Sequence, residues 1–119
     1  MRGLGMANEM FDSSTRSTGD LAGVFEYDGE TGYFYLYNLE GGSNRKVLDA
    51  IRIVSGEVSF AQTDVAIRWD SNETKVGLFI SDSLCAAFDV HTGAKYGGDY
   101  RKDDQSQISP EIVVAFQQS

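Results

Sequence analysis

Cysteine, proline and histidine each occur once in the 119 residues, as Cys85, Pro110 and His91. A single cysteine excludes an internal disulfide. Cys85 lies in the apolar run LCAAF and reads as a small buried hydrophobe. A thiol nucleophile needs a base nearby, and the one histidine stands outside any Cys or Asp motif, so His91 reads as structural. Positive charge is also scarce: 10 Lys and Arg against 18 Asp and Glu give a formal net charge of −8. That balance argues against binding nucleic acid through its phosphates and against attraction to anionic membranes. No apolar run approaches the roughly 20 residues of a membrane helix. The first residues carry no apolar signal core, so the expected location is the cytoplasm. There is no G-x-S-x-G, no H-E-x-x-H, no phosphate loop and no dinucleotide fingerprint. Gly41-Gly42 and Gly97-Gly98 read as turns. No cofactor, metal or catalytic residue is therefore expected.

Aromatic residues, by contrast, are concentrated. Residues 23–38 read GVFEYDGETGYFYLYN and hold six of the chain's fourteen aromatic residues. Aromatic and β-branched residues suit a pleated surface, and a short Gly-containing connection suits a hairpin. The expectation is a strand over 24–28, a turn, and a strand over 33–38. Side chains alternate across a strand. Tyr33, Tyr35 and Tyr37 therefore share one face, and Phe34 and Leu36 share the other, the core side. Neither face is polar, so both need cover. The tyrosines are expected to lie under another element, line a groove, or meet a second subunit.

Around this hairpin the pattern is β throughout. Residues 1–18 lack periodicity and read as a flexible arm, leaving 19–119 as one β-rich domain. Residues 46–54, KVLDAIRIV, fit either a helical stripe or a strand, and their β-branched content favours the strand. Residues 55–63 read as a loop in which Val58 and Phe60 form a short edge strand or pack over the core. Val65/Ile67/Trp69, Val76/Leu78/Ile80 and Leu84/Ala86/Phe88 alternate in three strands joined by tight turns, an antiparallel meander. Gly77 in mid-strand marks a bulge or an approaching ring. Residues 91–106 read as a loop with Tyr96 and Tyr100 folded back onto the body. Ser109-Pro110-Glu111 starts a helix, whose Ile112, Val113 and Phe116 form one apolar stripe. The expected fold is mainly β (α+β at the margin): an antiparallel meander sheet of about six strands with a short C-terminal helix on one face. The alternative is a flattened barrel or two-layer sandwich of the same strands. Phe34, Leu36, Ile67, Leu78 and Phe88 are expected in the core.

Polar clusters are few. Glu26, Asp28 and Glu30 could serve acid–base chemistry or bind calcium. They lack the remaining ligands of a calcium loop and read better as a solvated turn, as does Asp70-Ser71-Asn72-Glu73. Trp69 ends a strand and reads as core.

The stretch GVFEYDGETGYFYLY, followed by KVLDAIRI, IRWD, KVGLFI and AAFD, resembles a bacterial family of small proteins of unknown function over most of residues 20–90. The short length also resembles proteins carried on mobile integron gene cassettes. The resemblance implies no activity and no catalytic residues. The leading expectation is a non-enzymatic interaction domain that self-associates as a homodimer or a tetramer built from dimers. Its contact residues would be Tyr33, Tyr35 and Tyr37, with Tyr27, Trp69, Glu26 and Asp28 beside them. A second expectation is an enzyme or small-ligand binder with a pocket lined by Tyr33, Tyr35, Tyr37 and Trp69, and with Glu26 or Asp28 as its polar group. A third is an acidic inhibitor of a basic partner, such as a nucleic-acid-binding toxin.

Overall fold

The computed structural model describes residues 9–40, 46–101 and 108–117. Among the described residues eight strands follow one another: β1 Met10–Thr15, β2 Leu21–Tyr27, β3 Thr31–Asn38, β4 Lys46–Ser55, β5 Val65–Trp69, β6 Lys75–Ile80, β7 Ser83–Asp89 and β8 Lys95–Gly97. One helix, α1 Pro110–Gln117, closes the described chain. The strands form two antiparallel four-stranded sheets, in the orders β1-β2-β3-β4 and β5-β6-β7-β8. The class is the one the sequence implies, and the layout is the two-layer alternative rather than one sheet of six. Two further strands raise the count from six to eight. Strand β1 falls in the stretch read as an arm, while residues 1–8 of that arm lie outside the described residues. Strand β8 falls in the stretch read as a loop.

Why β1 forms is a matter of backbone rather than of pattern. Its sequence, MFDSST, offers only Met10 to the core, at 8 % exposure. It pairs in full with β2, from Met10 opposite Tyr27 to Thr15 opposite Ala22. Its other edge is met at Phe11 by a side chain. The Gln62 amide accepts from the Phe11 N–H and donates to the Phe11 carbonyl, each at 3.0 Å. A primary amide thus supplies the donor and acceptor that a neighbouring strand would give.

The two sheets pack inner face to inner face. Phe25, Phe34, Ile51 and Ile53 from the first meet Ile67, Val76, Leu78 and Phe88 from the second in one buried cluster. The Phe34 and Phe88 ring centroids are 5.0 Å apart. The five residues expected in the core are all buried. Phe60 is buried in the same cluster without forming a strand, and Val58 packs against it. The edge of the Tyr100 ring meets Phe60, with centroids 4.8 Å apart. The second sheet packs tightly onto Gly23, where a β-carbon would stand 2.7 Å from Val76 Cγ2.

Helix α1 covers the outer face of the second sheet. Ile112 and Phe116 are buried against Phe79, Leu84 and Ala87. The Ser109 hydroxyl accepts from the Glu111 N–H at 3.3 Å and caps the start. A β-carbon at Gly77 would come within 2.9 Å of Phe116 Cζ, so this glycine makes room for an approaching ring. The second sheet is therefore buried on both sides. The first sheet, which carries the tyrosine row, has its core on one side and no described helix on the other.

Candidate functional site: the outer face of the first sheet

Strand register places three rows of side chains on this outer face. Phe11, Glu26, Tyr33 and Arg52 stand side by side across β1 to β4. The second row is Ser13, Val24, Tyr35 and Ala50, and the third is Thr15, Ala22, Tyr37 and Val47. Strand β3 bulges against β4 on both sides of the Tyr33–Leu36 segment, and the three tyrosines still point the same way. They make a ridge. The Tyr33 and Tyr35 rings stack at 5.8 Å, with planes 15° apart. Beside the ridge, the smaller residues of β2 floor a trough.

Two adjoining grooves occupy that trough, of about 520 and about 500 Å³. Phe11, Glu26 and Tyr35 line both. The first extends to Glu9, Asp28 and Tyr33, and the second to Ala22, Tyr37 and Val47. The tyrosines are half-buried, whereas Phe11 is 57 % and Val47 43 % exposed. Burial, followed by the charge of Glu26, raises the Tyr35 hydroxyl above the ordinary tyrosine value.

The other residues singled out from the sequence are placed differently. Tyr27 belongs to the inner face, with 2 % exposure, and reaches the first groove only at the end it shares with Met10. Its hydroxyl donates to the Gly56 carbonyl at 2.8 Å, and burial, followed by Glu57, raises its pKa. The Asp28 carboxylate accepts from the Glu30 and Thr31 N–H groups, both at 2.8 Å, and is held below the usual range by those bonds, Thr31 first. It caps the β2–β3 turn. Trp69 is not part of this face. Its indole donates to the Ser14 carbonyl at 3.0 Å, and the Arg16 guanidinium lies 5.6 Å from its ring. The pocket combining the tyrosine row with Trp69 is therefore not assembled, because Trp69 shares the core-facing side of β5 with Val65 and Ile67. Val24, Val47 and Arg52 were absent from the expected set. Register across four strands brings them in, and a one-strand alternation rule does not reach them.

Elsewhere, buried carboxylates cap turns. Asp70 accepts from the Thr74 and Lys75 N–H groups at 2.9 and 3.1 Å, and Asp89 from His91 and Thr92 at 3.0 and 3.2 Å. Lys75 Nζ sits 4.0 Å from both acids. Among the described residues, no group of three or more His, Cys, Asp or Glu is placed to hold a metal ion. Among the same residues, no helix is long and apolar enough to cross a membrane.

Comparison with family models matches residues 4–113 to the family described as an uncharacterized protein conserved in bacteria, DUF2251. The chain belongs to this bacterial family. Neither the curated proteins nor the solved structures yield a match to it.

Proposed function

We propose that this chain is a non-enzymatic interaction domain that works through the outer face of its first sheet and associates with itself there. One observation carries the reading. Helix α1 covers the second sheet, while the first keeps a row of three tyrosines beside Phe11, 57 % exposed, and Val47, 43 % exposed. Sheet faces that stay solvated alternate apolar with charged residues. This one carries only Glu26 and Arg52 as charges across its three rows. Tyr and Phe are the residue types that interface cores favour. The assembly is a homodimer, or a tetramer built from dimers, and two-fold pairing is the commonest closed solution. The net charge of −8 supports a chain that leaves nucleic acid and anionic membranes alone.

Light scattering at micromolar concentration tests this reading. The expected mass is a multiple of the chain mass, and Tyr35→Glu is expected to return it to that of one chain. A single-chain mass for the unaltered protein overturns the reading, as does an oligomer indifferent to Tyr35→Glu. A specific observation favours a second reading, a small-ligand binder: each groove falls within the roughly 300–1,000 Å³ of ligand sites.

A further inference from the structure

The outer face is shaped as its own complement, and the inference drawn from that rests on the self-association just proposed. The tyrosine ridge on β3 stands next to the trough over β2, whose outward residues are Ala22, Val24 and Glu26. Consider a two-fold axis parallel to the strands and passing between β2 and β3. It exchanges β1 with β4 and β2 with β3, and it lays each cross-strand row over its own copy. Tyr35 then enters the trough over Val24 of the partner subunit, and Tyr37 over Ala22 of the partner subunit. Large residues meet small ones at Tyr35 and Tyr37, while Tyr33 is set over Glu26 of the partner subunit.

Charge follows the same operation. Arg52 ends the row that begins with Phe11 and Glu26. The axis carries it over Phe11 of the partner subunit, the end of the groove lined by Glu9, Glu26 and Asp28. A two-fold axis across the strands does the opposite. It sets ridge on ridge and sends Arg52 towards the row of Thr15, Ala22 and Val47, which has no carboxylate. We propose that the chain forms an isologous dimer in which the tyrosine ridge of each copy fills the β2 trough of the other and Arg52 reaches the partner's Glu26. Each contact is made twice, as two-fold symmetry requires. The occupant of the grooves is then a second copy of this chain.

The test is a charge exchange. Glu26→Arg and Arg52→Glu each set like charges against one another in a homodimer, and each alone is expected to weaken association at least about tenfold. Mixed in equal amounts, the two variants form a heterodimer in which both pairs are of opposite sign. The expected result is a dimer mass in the mixture at concentrations where each variant alone runs as a monomer. A mixture no tighter than its components, alongside a dimeric unaltered protein, overturns this geometry and leaves self-association standing. A monomeric unaltered protein removes both. Glu26→Gln gives a milder check should either charge-reversed chain fail to fold. It lowers the net negative charge, so general repulsion alone would tighten the dimer. The proposed pairing predicts a weaker one, and a tighter one counts against it. Saturable binding of a small molecule by a chain that stays monomeric would assign the grooves to a ligand instead.

Discussion

The ring of Phe116 lies against the backbone of Gly77, in the space a side chain there would need. A β-carbon at Gly77 would meet Phe116 Cζ at 2.9 Å and Leu84 Cδ1 at 2.8 Å. Phe116 also meets Phe79 edge-on at 5.6 Å, so the contact fixes how α1 sits on the second sheet. An eight-residue helix is too short to be stable by itself and depends on this docking. Gly77→Val is expected to cost about 1–3 kcal/mol, as overpacking does. Urea unfolding checks it, and an unchanged midpoint would show that the helix does not need that space.

Phe34 is fully buried, and its ring stacks obliquely on Phe88 across the two sheets. Phe34→Ala removes the largest inner-face side chain of β3 and leaves a cavity. The expected loss is about 3–5 kcal/mol. A melting temperature within a degree of the unaltered protein would mean that the sheets do not meet there.

Acid should loosen the β1–β2 turn. The Arg16 guanidinium, and after it the Thr18 hydroxyl, donate to the Asp20 carboxylate and hold its pKa well below the usual value. A carboxyl whose folded pKa is depressed adds stability that is complete above its unfolded value of about 4 and is lost as pH falls below it. Asp20→Asn should therefore lower stability at pH 7, and the gap from the unaltered chain should close as pH drops below about 4. A gap independent of pH would place the loss in shape rather than charge.

Cys85 is 2 % exposed, and its Sγ lies 3.7 Å from the Gly98 carbonyl. Thiol reagents are expected to label the native protein orders of magnitude more slowly than the urea-unfolded chain. Equal rates would contradict its place in the core.

Legibility in the sequence followed the strength of the periodic signal. Val65/Ile67/Trp69 and Val76/Leu78/Ile80 alternate cleanly, and β5 and β6 lie where that alternation puts them. Residues 46–54 fit helix or strand on spacing, their β-branched content favours strand, and the structure has a strand over Lys46–Ser55. Ser109-Pro110-Glu111 marked the start of α1 by capping chemistry alone. By contrast, β1 has Asp12, Ser13 and Ser14 where a core strand would have Val or Ile. Its place is set by pairing with β2 and by Gln62, a residue 51 positions away from Phe11. Alternation likewise put Tyr33, Tyr35 and Tyr37 on one face, and the structure has them there. It also put Trp69 on the core side with Val65 and Ile67, but it could not tell that Val24, Val47 and Arg52 would stand beside the tyrosines, because neighbours across strands are fixed by register.

The Gln62 amide on Phe11 has a counterpart at the far side of the same sheet. On β4, the Ile53 carbonyl accepts from the Tyr100 N–H at 3.0 Å, and the Ser55 carbonyl from Arg101 at 2.6 Å. Lys95 reaches the Ala50 carbonyl at 3.4 Å. Polar groups on which an incoming strand would have to build are thus engaged at both margins of the sheet. Lengthening the sheet strand by strand would break these bonds first. In the proposed assembly, copies stack rather than string together, and a stacked pair uses up the surfaces that formed it. Concentrating the protein should therefore yield particles of one fixed mass, with no tendency to grow into fibres.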